Sequence, residues 1–279
     1  MSTKGSTQQS SPSPSPSHSP SLVEASSWGA GKLILFGEHA VVYGHPAVAV
    51  ALSRGLEIHV CREVSPDANA RVEARLSARG RLIDIEPPQS AALLTAFHEG
   101  LRWASERGLA LSGVYEFTVA GALPFKVGLG SSAALSVASL RAIAKLHHHH
   151  FSDAELFEGA LSMERVFHQN PSGLDHQVSI QGGALMFQRS TLAATLEGGG
   201  HAKGFTQRSL NIGKILHLVL SWTPREGSTA DAVSGVAARR ADSPSIYDTL
   251  FYEISEITKR GITAIESGDL YTLSALLND

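Results

Sequence analysis

The chain has 279 residues, 43% of them apolar, and 23 Lys and Arg against 26 Asp and Glu give a formal net charge of −3. That is enough apolar material for a sizeable core, and the scattered, outnumbered basic residues offer no basic face to a nucleic-acid backbone. No apolar run approaches a membrane span, and the lone Cys61 rules out an internal disulfide and points to a reducing cytoplasm.

Residues 1–27 are dominated by Ser and Pro and lack the apolar block of a secretory signal, so they read as a disordered tail. The segment Gly31-Lys32-Leu33-Ile34-Leu35-Phe36-Gly37-Glu38-His39-Ala40-Val41-Val42-Tyr43-Gly44 follows. Its apolar core reads as a buried strand opened by Lys32, with Glu38 and His39 gathered beyond Gly37, where the backbone turns. Residues 89–106 read as a helix, and Val114 to Val119 alternate as a half-buried strand.

The stretch from Val127 to Ala134, Val-Gly-Leu-Gly-Ser-Ser-Ala-Ala, joins a glycine bend to an apolar helix extending to Leu146. Gly128 and Gly130 allow close approach of the backbone to an anion, and the free amides of the helix start face it. Ser131 and Ser132 place two hydroxyls where a magnesium ion could sit. No Gly-Lys-Ser/Thr stands at the spacing of a P-loop. Gly128 to Ala133 satisfies the dinucleotide pattern G-x-G-x-x-A. However, residues 121–127 separate it from the preceding strand, and His147 to His150 stand where an acidic ribose ligand is expected. Those four histidines point in successive directions without chelating spacing, and read as an exposed helix end favoured, when protonated, by the helix dipole.

Residues 153–165 read as a helix, and the chain turns before Pro171 to deliver Asp175 to a new element. Glu164 and Asp175 suit the two carboxylate tasks of phosphoryl transfer, one as an oxygen ligand for magnesium and one beside the attacking hydroxyl. Glu164 and His168, four residues apart, read as a surface pair. A second lobe opens with a strand from Ile215 to Leu220 and continues in helices at 230–241 and 245–267, the last ending at Gly268. The fold class is α+β in two lobes, 28–212 and 213–279, with the site between them.

Taken in this order, the three segments Gly31 to Gly44, Pro124 to Ala134 and Asn170 to Asp175 resemble the GHMP kinases. This family of small-molecule kinases is named after galactokinase, homoserine kinase, mevalonate kinase and phosphomevalonate kinase. The form Gly-Glu-His-Ala-Val-Val-Tyr-Gly is most similar to the mevalonate kinase branch, since galactokinases usually continue Gly-Glu-His with Thr-Asp-Tyr. The resemblance covers most of 28–279. It implies an amino-terminal lobe like ribosomal protein S5 domain 2 and a ferredoxin-like carboxy-terminal lobe. The implied activity is ATP-dependent phosphorylation of the 5-hydroxyl of mevalonate in isoprenoid synthesis.

By motif position, the resemblance assigns ATP binding to Pro124, Gly128, Leu129, Gly130, Ser131, Ser132 and Ala133, and Mg2+ to Ser132 and Glu164. Asp175 and Lys32 are the implied catalytic pair, and Glu38, His39 and Thr229 the implied mevalonate contacts. The implied partners are the small molecules ATP and mevalonate, with no nucleic acid or membrane, and a homodimer is allowed. Two departures stand out. Relatives place an arginine two positions before the threonine, where this chain has Gly227 and carries Arg225 two positions earlier. Relatives also carry a third glycine-rich motif in the carboxy-terminal lobe, for which Gly198-Gly199-Gly200 lies in the wrong place. The expectation is therefore a truncated chain of weak or no turnover. Its alternatives are another acceptor within the family, such as phosphomevalonate or a sugar, and a non-catalytic remnant that only binds ligand.

Overall fold

A long antiparallel hairpin forms the spine of the structure, a computed structural model that describes residues 22–63, 67, 70–77, 87–125, 127–167, 173–189, 205–221 and 229–279. Strand β1 (Leu22–Phe36) pairs along one side of β2 (Pro46–Glu63), from Leu22 opposite Glu63 to Phe36 opposite Val48. The other side of β2 is shared: Leu56 to Glu63 pair with β4 (Val114–Gly121), and Pro46 to Val50 with β5 (Ala184–Arg189). Strand β3 (Glu73–Leu76) joins β4 in parallel and β6 (Phe205–Leu210) closes the far side, giving the order β3-β4-β2-β5-β6 with β1 on β2.

Helices α1 (Pro87–Glu106), α2 (Ser131–Leu146) and α3 (Asp153–Glu164) bury their apolar sides in one cluster with Leu56, Ile58, Val60, Phe117 and Val119 of the sheet. Helix α2 is central and apolar nearly all round, the pattern of a helix enclosed by protein. Its buried Ser136 and Ser139 hydroxyls donate to carbonyls one turn back, of Ser132 at 2.9 Å and Leu135 at 2.7 Å, so they enter the core with partners. Phe97 of α1 stacks on Phe117 of β4 at 4.2 Å. At the other end of β2 the side chains alternate across the sheet. Val48 and Val50 join a cluster with Ala264 and Ile265 of α6 (Pro244–Ser267) and Leu273 and Leu276 of α7 (Leu270–Leu276), while Ala49 between them packs with Leu174 and Val178 of α4 (Leu174–Gln181). The first of these two clusters thus holds residues from both sides of the expected lobe boundary at 212. Among the described residues, no helix is long and apolar enough to cross a membrane.

Two sequence expectations are corrected here. The tail expected through residue 27 gives way to β1 at Leu22, because residues 22–29 are held in register opposite Leu56 to Glu63 and Ser26 Oγ hydrogen-bonds His59 Nδ1 at 2.9 Å. Ladder pairing overrides the Ser-rich composition. The strand expected from Ile215 to Leu220 has no ladder among the described residues, and Ile215 and Val219 are 77% and 99% exposed. Among the described residues its β-rich pattern meets no neighbouring strand to pair with. Helix α5 (Thr229–Asp242) and α6 lie within a residue or so of the expected bounds.

Candidate active site

The site begins at a fault in the β1–β2 ladder. The register shifts between Ala30, opposite Gly55, and Lys32, opposite Ala51, so that β2 carries the extra residues of the bulge facing this point of β1. Here the Lys32 amide donates to Leu129 O at 2.9 Å, tying the strand to the glycine bend before α2. The Lys32 side chain runs inward, and its Nζ lies 3.2 Å from Asp175 Oδ1. A lysine only 9% exposed needs such a partner, since isolated burial of an ammonium is costly. Asp175 stands in the first turn of α4, after Gly173 at φ +83, where the helix dipole favours its negative charge.

Gly130, at φ +71, caps α2 without any side-chain hydrogen bond, so the amides at the helix start remain without a side-chain cap. A Cβ at Gly130 would lie 2.8 Å from Lys32 Cγ and 3.7 Å from Asp175 Oδ2, so the bend packs directly on the ion pair. Gly128, at φ +80, has no atom of the described residues within 4 Å of a Cβ position.

Next to this pair lies a second one. Ser132, in the first turn of α2, donates from Oγ to Glu164 Oε1 at 2.7 Å. Glu164 is the last residue of α3, 4% exposed, and the helix that carries it is fixed at its start by a capping box between Ser152 and Glu155. Glu164 Oε2 lies 3.5 Å from Nε2 of His176, the residue after Asp175. A closed circuit results, running Lys32, Asp175, His176, Glu164, Ser132, Gly130 and back to Lys32. A hydroxyl and a carboxylate are hard oxygen donors, the kind that takes a divalent cation together with substrate phosphates and water. Among the described residues no group of three or more His, Cys, Asp or Glu forms a cage.

Of the other sequence-predicted residues, Pro124 and Leu129 are half-buried in the bend, and Ser131 and Ala133 are buried at the start of α2. Glu38 is exposed and His39 half-buried in the turn after β1, where His39 adopts φ +62; among the described residues their side chains make no hydrogen bond to the Lys32–Asp175 group. Thr229 is the first residue of α5, and its side chain lies outside the description, as do Arg225, Gly227, His168, Asn170 and Gly198 to Gly200.

The histidine run departs from expectation at its first member. His147 is not an exposed, protonated end: Tyr115 Oη and His147 Nε2 are 2.9 Å apart in a hydrogen bond, and burial pushes its pKa down to about 4. His148, His149 and His150 are exposed. His176 was not singled out in the sequence at all. Its partner Glu164 lies on another helix across a turn, at a spacing that no helical or strand period connects.

A family model described as GHMP kinases N terminal domain matches residues 91–183, which hold the glycine bend, Glu164 and Asp175. Curated relatives agree: the mevalonate kinase of Thermococcus sibiricus is 27% identical over 239 residues, covering 82% of this chain and 66% of that protein. Residues 91–183 thus match the amino-terminal domain of the GHMP kinases, and most of the chain is similar to mevalonate kinases of that kind. The mevalonate kinase of Pyrococcus abyssi is likewise 27% identical over 258 residues, covering 89% of this chain and 71% of that one. Against these two relatives, the chain spans about two-thirds of their length. Its fold is that of L. major mevalonate kinase, solved in complex with R-mevalonate, with a TM-score of 0.71, 23% identity, and coverage of 93% of this chain and 75% of that one.

Proposed function

We propose that this chain transfers the γ-phosphoryl group of ATP to the 5-hydroxyl of mevalonate, giving 5-phosphomevalonate and ADP, in the cytoplasm. The observation that carries the reading is the Lys32–Asp175 pair at 3.2 Å, packed against Gly130 of an uncapped helix start. The names of the relatives above support mevalonate as the acceptor, with Glu38, His39 and Thr229 as its contacts.

Phosphoryl transfer passes through a loose transition state, so alignment and charge neutralisation matter more than a strong base. In this reading the amides of Ser131, Ser132 and Ala133 hold the phosphates at the positive end of α2. Asp175 orients the acceptor hydroxyl and takes its proton as the new O–P bond forms and the bond from the γ-phosphorus to the β-bridging oxygen breaks. Lys32 holds Asp175 in place and balances charge developing on the transferred group. Ser132 and Glu164 would hold Mg2+, which supplies further neutralisation of phosphate charge when bound.

The test is ADP release by the purified chain with Mg-ATP and, in turn, mevalonate, phosphomevalonate, galactose and homoserine, for the parent and Asp175→Asn. Turnover should require mevalonate, and the variant should lose about 10²–10⁴-fold in rate while binding ATP nearly as the parent does. Equal rates in variant and parent would remove Asp175 from the mechanism, and no mevalonate-dependent release in the parent would refute the assignment.

A further inference from the structure

His176 is 1% exposed, and neither ring nitrogen has a hydrogen-bond partner among the described residues. Buried polar atoms nearly always have one, so a ring with two lacking it calls for a reason. The ring is held edge-on by Phe157 of α3, with centroids 6.2 Å apart and planes at 82°. That leaves Nε2 directed at Glu164 Oε2, 3.5 Å away, slightly too far for a good hydrogen bond and too close to be indifferent. The other oxygen of the same carboxylate already accepts from Ser132 at 2.7 Å.

We infer that His176 is a positioning residue that holds Glu164 Oε2 by its Nε2–H and so fixes the carboxylate for a divalent cation shared with Ser132. The inference rests on the reading of Ser132 and Glu164 as the cation's holders, and goes beyond it in assigning what orients them. Ligating carboxylates are themselves hydrogen-bonded by outer residues that set their orientation, and loss of such a partner costs metal affinity. An imidazole suits the task because it can donate from Nε2 while its ring fills an apolar gap. The placement also has a consequence within α4. Asp175 and His176 are consecutive, so one helix turn sets both the acid paired with Lys32 and the support of Glu164.

The experiment uses the full chain, with Mn2+ as the probe in the presence of the non-hydrolysable analogue AMP-PNP and free Mn2+ read by electron paramagnetic resonance. His176→Phe keeps a ring and removes the donor; His176→Gln keeps an N–H donor. The first should weaken Mn2+ binding by about 10–100-fold. Its affinity for AMP-PNP without metal should stay within about twofold of the parent's, and His176→Gln should recover most of the loss. A histidine kept only for packing would leave Mn2+ binding unchanged in a folded His176→Phe, or would show equal losses in both variants, and either result overturns the inference. If His176→Phe does not fold, the more pliable His176→Met takes its place with the same expectations. Glu164→Gln must itself lose Mn2+ binding, and retention there would also overturn it. Because no acceptor is present, failure of mevalonate turnover leaves this test intact.

Discussion

Replacing Gly130 by alanine puts a methyl group into the narrowest gap of the site. The added Cβ would stand 2.8 Å from Lys32 Cγ, and ordinary contact starts at 3.4 Å, so the lysine stem must withdraw by 3.4 − 2.8 = 0.6 Å or the bend must open by as much. The residue also sits at φ +71, where an L side chain costs about 1–2 kcal/mol. For a chain of this size each kcal/mol lowers the melting temperature by about 2–4 °C. The catalytic effect should be larger in proportion, since a shift of about 1 Å in a positioned group can cost about 10²-fold in rate. Gly130→Ala is therefore expected to melt a few degrees lower and to release ADP roughly 10–100-fold more slowly. Gly128→Ala provides the control, because its φ of +80 carries the same backbone cost but no atom of the described residues lies within 4 Å of the new methyl. It should show only the fall in melting temperature that the backbone cost brings, without displacing Lys32. Thermal denaturation and a coupled ADP assay with mevalonate measure both. A Gly130→Ala enzyme within twofold of the parent rate would show that the gap relaxes freely and that Lys32 is not held there by contact.

Two further outcomes follow from the packing and the charges. With a folded-state pKa of about 4 against the ordinary 6.5, His147 binds a proton more readily unfolded, so stability falls as pH drops below 6.5 and levels off below about 4. The loss between pH 7 and 5 should be about 2 kcal/mol, and denaturant titrations of the parent against His147→Gln would reveal it as a pH dependence weaker in the variant. An identical slope in both would exclude His147 as its source. Gly235 and Gly261 both lie inside helices, yet alanine should act oppositely at the two. At Gly235 the near atom among the described residues is Arg239 Nη1 at 3.5 Å, so the gain in helix propensity of about 1 kcal/mol should raise the melting temperature. At Gly261 the methyl would meet the Phe36 ring at 2.5 Å, and overpacking of about 1–3 kcal/mol should lower it. A rise at Gly261 would mean that Phe36 yields.

Much of the site was legible in the sequence because each motif combines a local backbone requirement with a chemical group. The glycines of the bend need positive φ, and the helix after it is mostly apolar; Asp175 follows Gly173, which also takes positive φ. What escaped depends on contacts between distant segments. Leu22 to Ser27 look like tail because their β character comes from the opposing strand rather than from their own composition. Ile215 to Leu220 look like strand because pattern alone cannot supply a neighbour. His147 and His148 are consecutive and read alike, yet one turns beneath Tyr115 while the other meets solvent. His176 gains its meaning only when α3 is laid beside α4.

The bulge between Ala30 and Lys32 makes hairpin formation and site assembly one event. Side chains on a strand alternate between faces, so a slip of one residue past that point would send the Lys32 ammonium to the far side of the sheet and leave Asp175 without it. A chain caught in that register could still bury most of its apolar residues. The fraction of refolded molecules able to turn over substrate would then count correctly threaded hairpins, a quality that far-ultraviolet spectra cannot see.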